Sequence, residues 1–216
     1  MTLSEENYLK AIFHLFNENN EEVSTNAIAE AMATKASSVT DMLKKLADKK
    51  LINYRKYQGV TLTPKGRQKA IAIVRKHRLW EVFLVEKLHF SWDEVHEIAE
   101  ELEHIQSDKL IERLDKFLGY PEKDPHGDPI PNKEGVIENS IKILLSDLNE
   151  GDKGVCAAVK NTSKEFLVYL NKMHIALGNE IEVISKEPFD NSMQILVSGK
   201  EVNLSAMVCR NIYING

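Results

Sequence analysis

The sequence predicts a mainly α protein with a small β domain, ordered as a winged helix-turn-helix, a helical dimerisation domain and a carboxyl-terminal SH3-like barrel. Three observations predict it. Helical periodicity runs from residue 4 to residue 118, interrupted by one short β-like pair between residues 51 and 63. Four of the six prolines crowd into Tyr120–Gly135, which marks a linker. After the linker, short alternating runs are separated by glycine-containing turns, the pattern of a small barrel. A length of 216 residues fits two or three domains.

In residues 4–17, Tyr8, Ile12, Leu15 and Phe16 share one stripe, with Ser4 placed as a cap. Ser24 caps TNAIAEAMA, a break follows at 34–36, and Ser37 or Ser38 opens SVTDMLKKLADKK, with Val39, Met42, Leu43 and Leu46 inward. Two β-like runs, Leu51–Arg55 and Val60–Thr63, flank a turn at Gln58-Gly59, and Pro64 starts a long helix to Leu88. Three helices and a two-stranded hairpin make a winged helix-turn-helix. Ser91 and Glu94 form a capping box for SWDEVHEIAEELEHI, and Ser107 caps SDKLIERLDKFLG, which stops at Gly119. The apolar positions here, among them Leu84, Leu88, Leu110, Leu114, Phe117 and Leu118, exceed what so short a unit hides by itself, which points to a two-fold partner. Beyond the linker come a short helix over 136–145, strands at 154–159, 179–184, 193–198, 201–206 and 211–214, and a helix over 163–173.

With 43% hydrophobic and 28% charged residues, the chain has the composition of a folded protein, which excludes global disorder and collagen-like structure. It has no apolar run long enough to span a membrane and no secretory leader, so a cytoplasmic protein without a membrane partner is expected. Cys156 and Cys209 read as reduced core thiols. The net charge of -5 hides an asymmetry: thirteen Lys and Arg against two acids from Lys35 to Arg78, then sixteen acids against six bases from Leu79 to Glu138. A basic helix-turn-helix beside an acidic helical region suits a polyanion at one and cations at the other.

A recognition helix enters the major groove by its amino-terminal end, where Lys35, Ser37, Ser38, Thr40, Asp41 and Lys44 stand. Lys44, Lys45, Arg55 and Lys56 would supply phosphate contacts from the helix and wing. In the acidic region, Val95, Ile98, Ala99, Leu102 and Ile105 form the core stripe. His96, Glu100, Glu103 and His104 form another, and spacings of three and four residues let Glu100, Glu103 and His104 converge on one ion. Carboxylates with an imidazole suit Mn²⁺ or Fe²⁺. His77 and Glu81 are a second pair at helical spacing.

The segments YLKAIFHL, SSVTDMLKKL, GVTLTPKG, RKHRLWEVFLVEKL, VHEIAEELEH and PHGDPIP, in this order, resemble the diphtheria toxin repressor family of metal-dependent transcriptional regulators, in particular its three-domain, manganese-responsive branch. The resemblance implies a principal metal site of Asn7, Glu100, Glu103 and His104, with Asn7 offering a neutral carbonyl where aspartate is common. It implies an ancillary site at His77, Glu81 and His96, with Asp124 and His126 at positions used alongside Glu81, and Glu165 of the short third-domain helix completing it. Lys10 stands where some two-domain members carry a glutamate, and an ammonium cannot ligate. Iron sensors carry cysteine where Glu100 stands, so Mn²⁺ is the expected cofactor, with Fe²⁺ the alternative and Zn²⁺ or Co²⁺ able to bind in vitro.

The expected domains are a DNA-binding winged helix-turn-helix at 1–64, a metal-binding and dimerisation domain at 65–140, and an SH3-like (FeoA-like) domain at 141–216. The expected function is that of a homodimeric repressor, not an enzyme, which binds double-stranded operator DNA when metal fixes its geometry and so controls metal homeostasis. A winged-helix regulator answering another ligand and a carboxylate-metal enzyme are the competing readings. The enzyme would need paired Glu-x-x-His motifs, and only one helix here offers such a set.

Overall fold

The computed structural model describes residues 1–19, 21–55, 58–137 and 143–215. Lys56 on the wing and residues 138–142 of the helix expected over 136–145 lie outside the described residues. The chain packs as two units, the first of residues 1–78, 100–112 and 131–137, the second of the remainder.

The first unit begins with α1 (Leu3–Asn19), α2 (Thr25–Ala31), α3 (Ala36–Asp48), β1 (Ile52–Arg55) and β2 (Gly59–Leu62), followed by the start of α4 (Pro64–Leu88). Thr2, not Ser4, begins α1. Glu5 N–H donates to Thr2 Oγ1 (3.3 Å) while Thr2 N donates to Glu5 Oε2 (3.1 Å), the reciprocal pairing of a capping box. Ser24 caps α2 as expected, accepting from Ala27 N at 3.1 Å. The third helix starts earlier than the serines suggested: Lys35 is its N-cap, so Ser37 and Ser38 sit exposed in its first turn. On α1 the buried stripe is Tyr8, Leu9, Ile12 and Phe13, whereas Leu15 and Phe16 are half-buried. They pack with Ile28, Val39, Leu43 and Leu46, each such side chain contributing about 1.5–3 kcal/mol of transfer free energy.

The β1–β2 hairpin pairs Ile52 with Leu62, and Val23 adds a bridge to Val60, so the wing is anchored on its inner edge. Gly66 is required at the start of α4, because a Cβ there would lie 1.8 Å from the Leu51 carbonyl oxygen. That close approach fixes the long helix against the corner between α3 and the wing.

The second unit contains the end of α4, most of α5 (Val95–Leu102), the end of α6 (Asp108–Phe117) and an antiparallel sheet of β3 (Ile143–Leu144), β4 (Lys153–Val159), β5 (Glu180–Lys186), β6 (Met193–Val197), β7 (Lys200–Leu204) and β8 (Ile212–Asn215), in the order β3-β8-β4-β5-β6-β7. Two helices, α7 (Lys164–Lys172) and α8 (Ala206–Cys209), complete it. Register shifts at Cys156/Ala158 and Val183/Ser185 are bulges that bend the sheet around its core. Ser198 and Gly199, both with positive φ, close the β6–β7 hairpin.

Two expectations fail locally. Residues 143–144, at the end of the helix expected over 136–145, pair as a strand and a single 3₁₀ turn follows at Leu145–Asp147, and Ser205 ends β7 early by capping α8, its Oγ accepting from Val208 N. Cys156 and Cys209 are free and buried among apolar side chains, and burial pushes their thiols up to about 12 and about 11.

Candidate metal centres and nucleic-acid surface

In the first unit, α1 presents Glu6, Asn7 and Lys10 on one face. Opposite them the chain leaves the helix that was expected to run through Ile105: α5 ends at Leu102, so Glu100 is helical while Glu103 and His104 lie in the following turn. Glu103 is fully buried. Its Oε2 accepts from His77 Nδ1 at 2.6 Å and from Lys10 Nζ at 2.8 Å, and Glu100 Oε1 accepts from the same ammonium at 2.9 Å. Burial works against the Glu103 carboxylate, but the His77 hydrogen bond and the Lys10 charge outweigh it and hold its pKa below the ordinary value.

His104 is oriented from behind. Its Nδ1 donates to the buried Glu6 at 2.6 Å, and Gln106 Nε2 donates to the other Glu6 oxygen at 2.9 Å. This tautomer leaves the Nε2 lone pair facing Glu103 Oε1, 3.9 Å away. Glu103 Oε1 and Asn7 Oδ1 are both buried without a hydrogen-bond partner. An orphaned carboxylate oxygen, Glu103 Oε1, 3.9 Å from an imidazole nitrogen is a donor pair that fits a divalent cation, because a buried acceptor without a partner is costly, and Asn7 Oδ1 is a further buried acceptor left unpaired on α1.

In the second unit, Glu81, Asp124 and His126 bring one ligand atom each within 4.8 Å of the others, all three buried. His126 Nε2 donates to the Trp92 carbonyl at 2.8 Å, which directs Nδ1 to Glu81 Oε1 at 3.6 Å. Burial acts to lower the His126 pKa, but Glu81, through its hydrogen bond and charge, with help from Asp124, reverses this and raises it. His96, partly exposed, has Nδ1 3.5 Å from Glu81 Oε1. Two buried carboxylates with histidine nitrogens also fit a divalent ion.

The turn that presents Asp124 and His126 is held from both sides. Asp124 Oδ1 accepts from the His126 and Asp128 amides at 2.9 Å each, and Val159 N of β4 donates to the His126 carbonyl at 3.0 Å. Gly127 has φ +86, and a Cβ on it would lie 2.1 Å from the Ala157 carbonyl oxygen. Glu165, expected to complete this cluster, lies exposed in the first turn of α7 and is not among the residues converging there. The contribution of α7 is instead Asn171, which accepts from Trp92 Nε1 at 2.8 Å while Trp92 stacks on His126.

On the nucleic-acid face, Lys35, Ser37, Ser38, Asp41 and Lys44 are exposed, as is Arg55 on the wing. Thr40 is half-buried and donates its hydroxyl to the Ala36 carbonyl at 3.0 Å, and Asp41 pairs with Lys44 at 3.2 Å, which softens the local positive charge.

Glu6, Gln106, Trp92 and the ion pairing of Lys10 were missed from sequence. The available signal was Glu6, Asn7 and Lys10 at helical spacing on α1, a face carrying more chemistry than a solvated one needs.

Three family models match: the iron dependent repressor N-terminal DNA binding domain over residues 1–60, the iron dependent repressor metal binding and dimerisation domain over 63–132, and the FeoA domain over 143–215. A solved manganese-dependent transcriptional repressor in complex with manganese is 35% identical, with 97% of this chain and 98% of that one covered and a TM-score of 0.86. The manganese regulator SloR is 36% identical over 100% of this chain and 99% of its own, with a TM-score of 0.79. The iron-dependent repressor IdeR of Mycobacterium leprae is 36% identical over 153 residues, which is 68% of this chain and 66% of that one.

Proposed function

The chain belongs to the diphtheria toxin repressor family of metal-dependent transcriptional regulators of manganese and iron homeostasis, and from that premise we propose that it is a homodimeric, cytoplasmic repressor that takes up Mn²⁺ and then binds double-stranded operator DNA. The observation that carries the metal assignment is the orphaned Glu103 Oε1, 3.9 Å from the Nε2 of a His104 held by Glu6, with Asn7 Oδ1 a second buried oxygen left unpaired. Glu100, with no thiolate in the set, supports Mn²⁺ over softer ions, and Fe²⁺ is the second choice. A bound cation would supply positive charge at Glu103 Oε1, the carboxylate oxygen that neither Lys10 nor His77 reaches. Asn7 then shares a ligand sphere with residues 100–104, so α1 is fixed to that segment, and α3, packed on α1 in one core, takes a set orientation for the groove.

The spans of the family models support domains at 1–64, 65–140 and 141–216. A two-fold partner is supported by Leu88, Phe117 and Tyr120, which are 53%, 64% and 57% exposed in the second unit. Glu81, Asp124 and His126, with His96, form a second metal site. Ser37 and Ser38 read base edges while Lys35, Lys44 and Arg55 hold phosphates.

Random duplexes put through selection with Mn²⁺, and in parallel with chelator, supply the operator for the test. Wild type should enrich a pseudo-palindromic site only with metal, and His104→Ala should remain a dimer yet lose the metal response. A metal response retained in His104→Ala would refute the assignment.

A further inference from the structure

Lys10 is an anomaly in a cation site. Its ammonium reaches both carboxylates that should ligate, at 2.9 Å from Glu100 and 2.8 Å from Glu103, and its side chain is only 12% exposed. An ammonium donates hydrogen bonds and offers no lone pair, so it satisfies the oxygens a metal needs while adding nothing to a ligand sphere. The two ends of Glu103 are used differently. Oε2 is shared by Lys10 and His77, while Oε1 is bare and faces His104 Nε2. A divalent ion therefore finds Glu103 Oε1 and His104 Nε2 ready, but Glu100 is already held by a charge of the same sign as the ion's.

We propose that Lys10 is a tethered cation that occupies the Glu100–Glu103 pair when metal is absent, so that recruiting Glu100 as a ligand requires displacing its ammonium, and that this competition sets the metal concentration to which the protein responds. The inference rests on the metal site assigned above. It follows that the metal-free protein is not an open cluster of repelling carboxylates. Lys10 binds α1 to residues 100–103 through Glu100 Oε1 and Glu103 Oε2, and metal exchanges one cation for another of higher charge at Glu100 while taking Glu103 by its other oxygen. The Glu100 side chain is 46% exposed, but Glu103 is fully buried and Lys10 nearly so, so water screens the repulsion between the ion and the neighbouring ammonium only in part and removing the ammonium tightens metal binding.

Mn²⁺ titration of the full-length protein by calorimetry, with Mn²⁺ paramagnetic resonance to count bound ions, tests this on Lys10→Met, Lys10→Gln and Lys10→Arg. His104→Ala marks which binding event belongs to this site. Lys10→Met and Lys10→Gln should bind Mn²⁺ at that site about tenfold or more tightly than wild type, within the 5- to 150-fold range of typical couplings. Lys10→Arg, which keeps the charge, should stay near wild type. The metal-free Met and Gln variants should melt below wild type and regain the difference on adding Mn²⁺, since their carboxylates have lost a counter-ion that metal replaces. Folded Met and Gln variants with unchanged or weaker Mn²⁺ binding would overturn the proposal alone. If His104→Ala loses no Mn²⁺, the underlying site assignment falls and the proposal with it.

Discussion

Replacing Glu6 by Gln keeps the shape of the side chain and removes one thing, the ability of both its oxygens to accept. In the native protein one oxygen takes the His104 Nδ1 hydrogen at 2.6 Å and the other the Gln106 amide at 2.9 Å. Glutamine offers one oxygen and one NH₂, so either His104 or Gln106 faces a donor. A hydrogen bond to a charged group contributes about 1.5–3 kcal/mol. Losing the orientation of a metal-bound histidine typically weakens metal binding about 10- to 100-fold, which corresponds to roughly 1.4–2.8 kcal/mol. The two routes agree, and Glu6→Gln should therefore bind Mn²⁺ at the His104-dependent site one to two orders of magnitude more weakly. The same titration, with operator affinity followed against free Mn²⁺, reads the loss: the metal dose for half-maximal DNA binding should rise while affinity at saturating metal stays near wild type. Wild-type Mn²⁺ binding by folded Glu6→Gln would refute the claim that Glu6 sets the His104 tautomer and direction.

Gly127→Ala should destabilise the protein by about 2–3 kcal/mol, combining the cost of a left-handed conformation with a methyl forced against the β4 backbone, and should remove the Mn²⁺ that depends on Glu81 while sparing the one that depends on His104; thermal melting and ion counting check both. Cys156 and Cys209, with thiols raised by burial to about 12 and about 11, should not react with Ellman's reagent at about pH 8 until denaturant is added, and fast native-state labelling would contradict their place in the core.

The winged helix-turn-helix was legible because its signals are local: Ser24 at a cap, Pro64 at a helix start, and Val39, Leu43 and Leu46 at helical spacing. The metal chemistry was legible by residue type but not by geometry. Helical spacing continues through Ile105 but the helix ends at Leu102, and nothing in the run from Glu101 to Ile105 announces that end, since it holds neither Gly nor Pro. What aims His104 is Glu6, 98 residues earlier, and what occupies Glu100 is Lys10, 90 residues earlier. Pairings at that separation leave no periodic trace. Glu165 was expected as a ligand from the family resemblance, whereas it lies exposed and α7 meets the Glu81–Asp124–His126 cluster through an amide, Asn171, which accepts from the Trp92 that stacks on His126.

The turn bearing Asp124 and His126 is shaped partly by a strand that comes later in the chain, through Val159 N on the His126 carbonyl and the small residues Ala157 and Ala158 beneath Gly127. That dependence limits how such proteins are assembled by recombination. A carboxyl-terminal module exchanged between relatives carries the mould for a ligand turn belonging to the preceding module, so turn and strand are inherited together. A lineage that dropped the module would leave the contacts among Glu100, Glu103 and His104 untouched, whereas the Asp124–His126 turn that faces Glu81 would lose its backing.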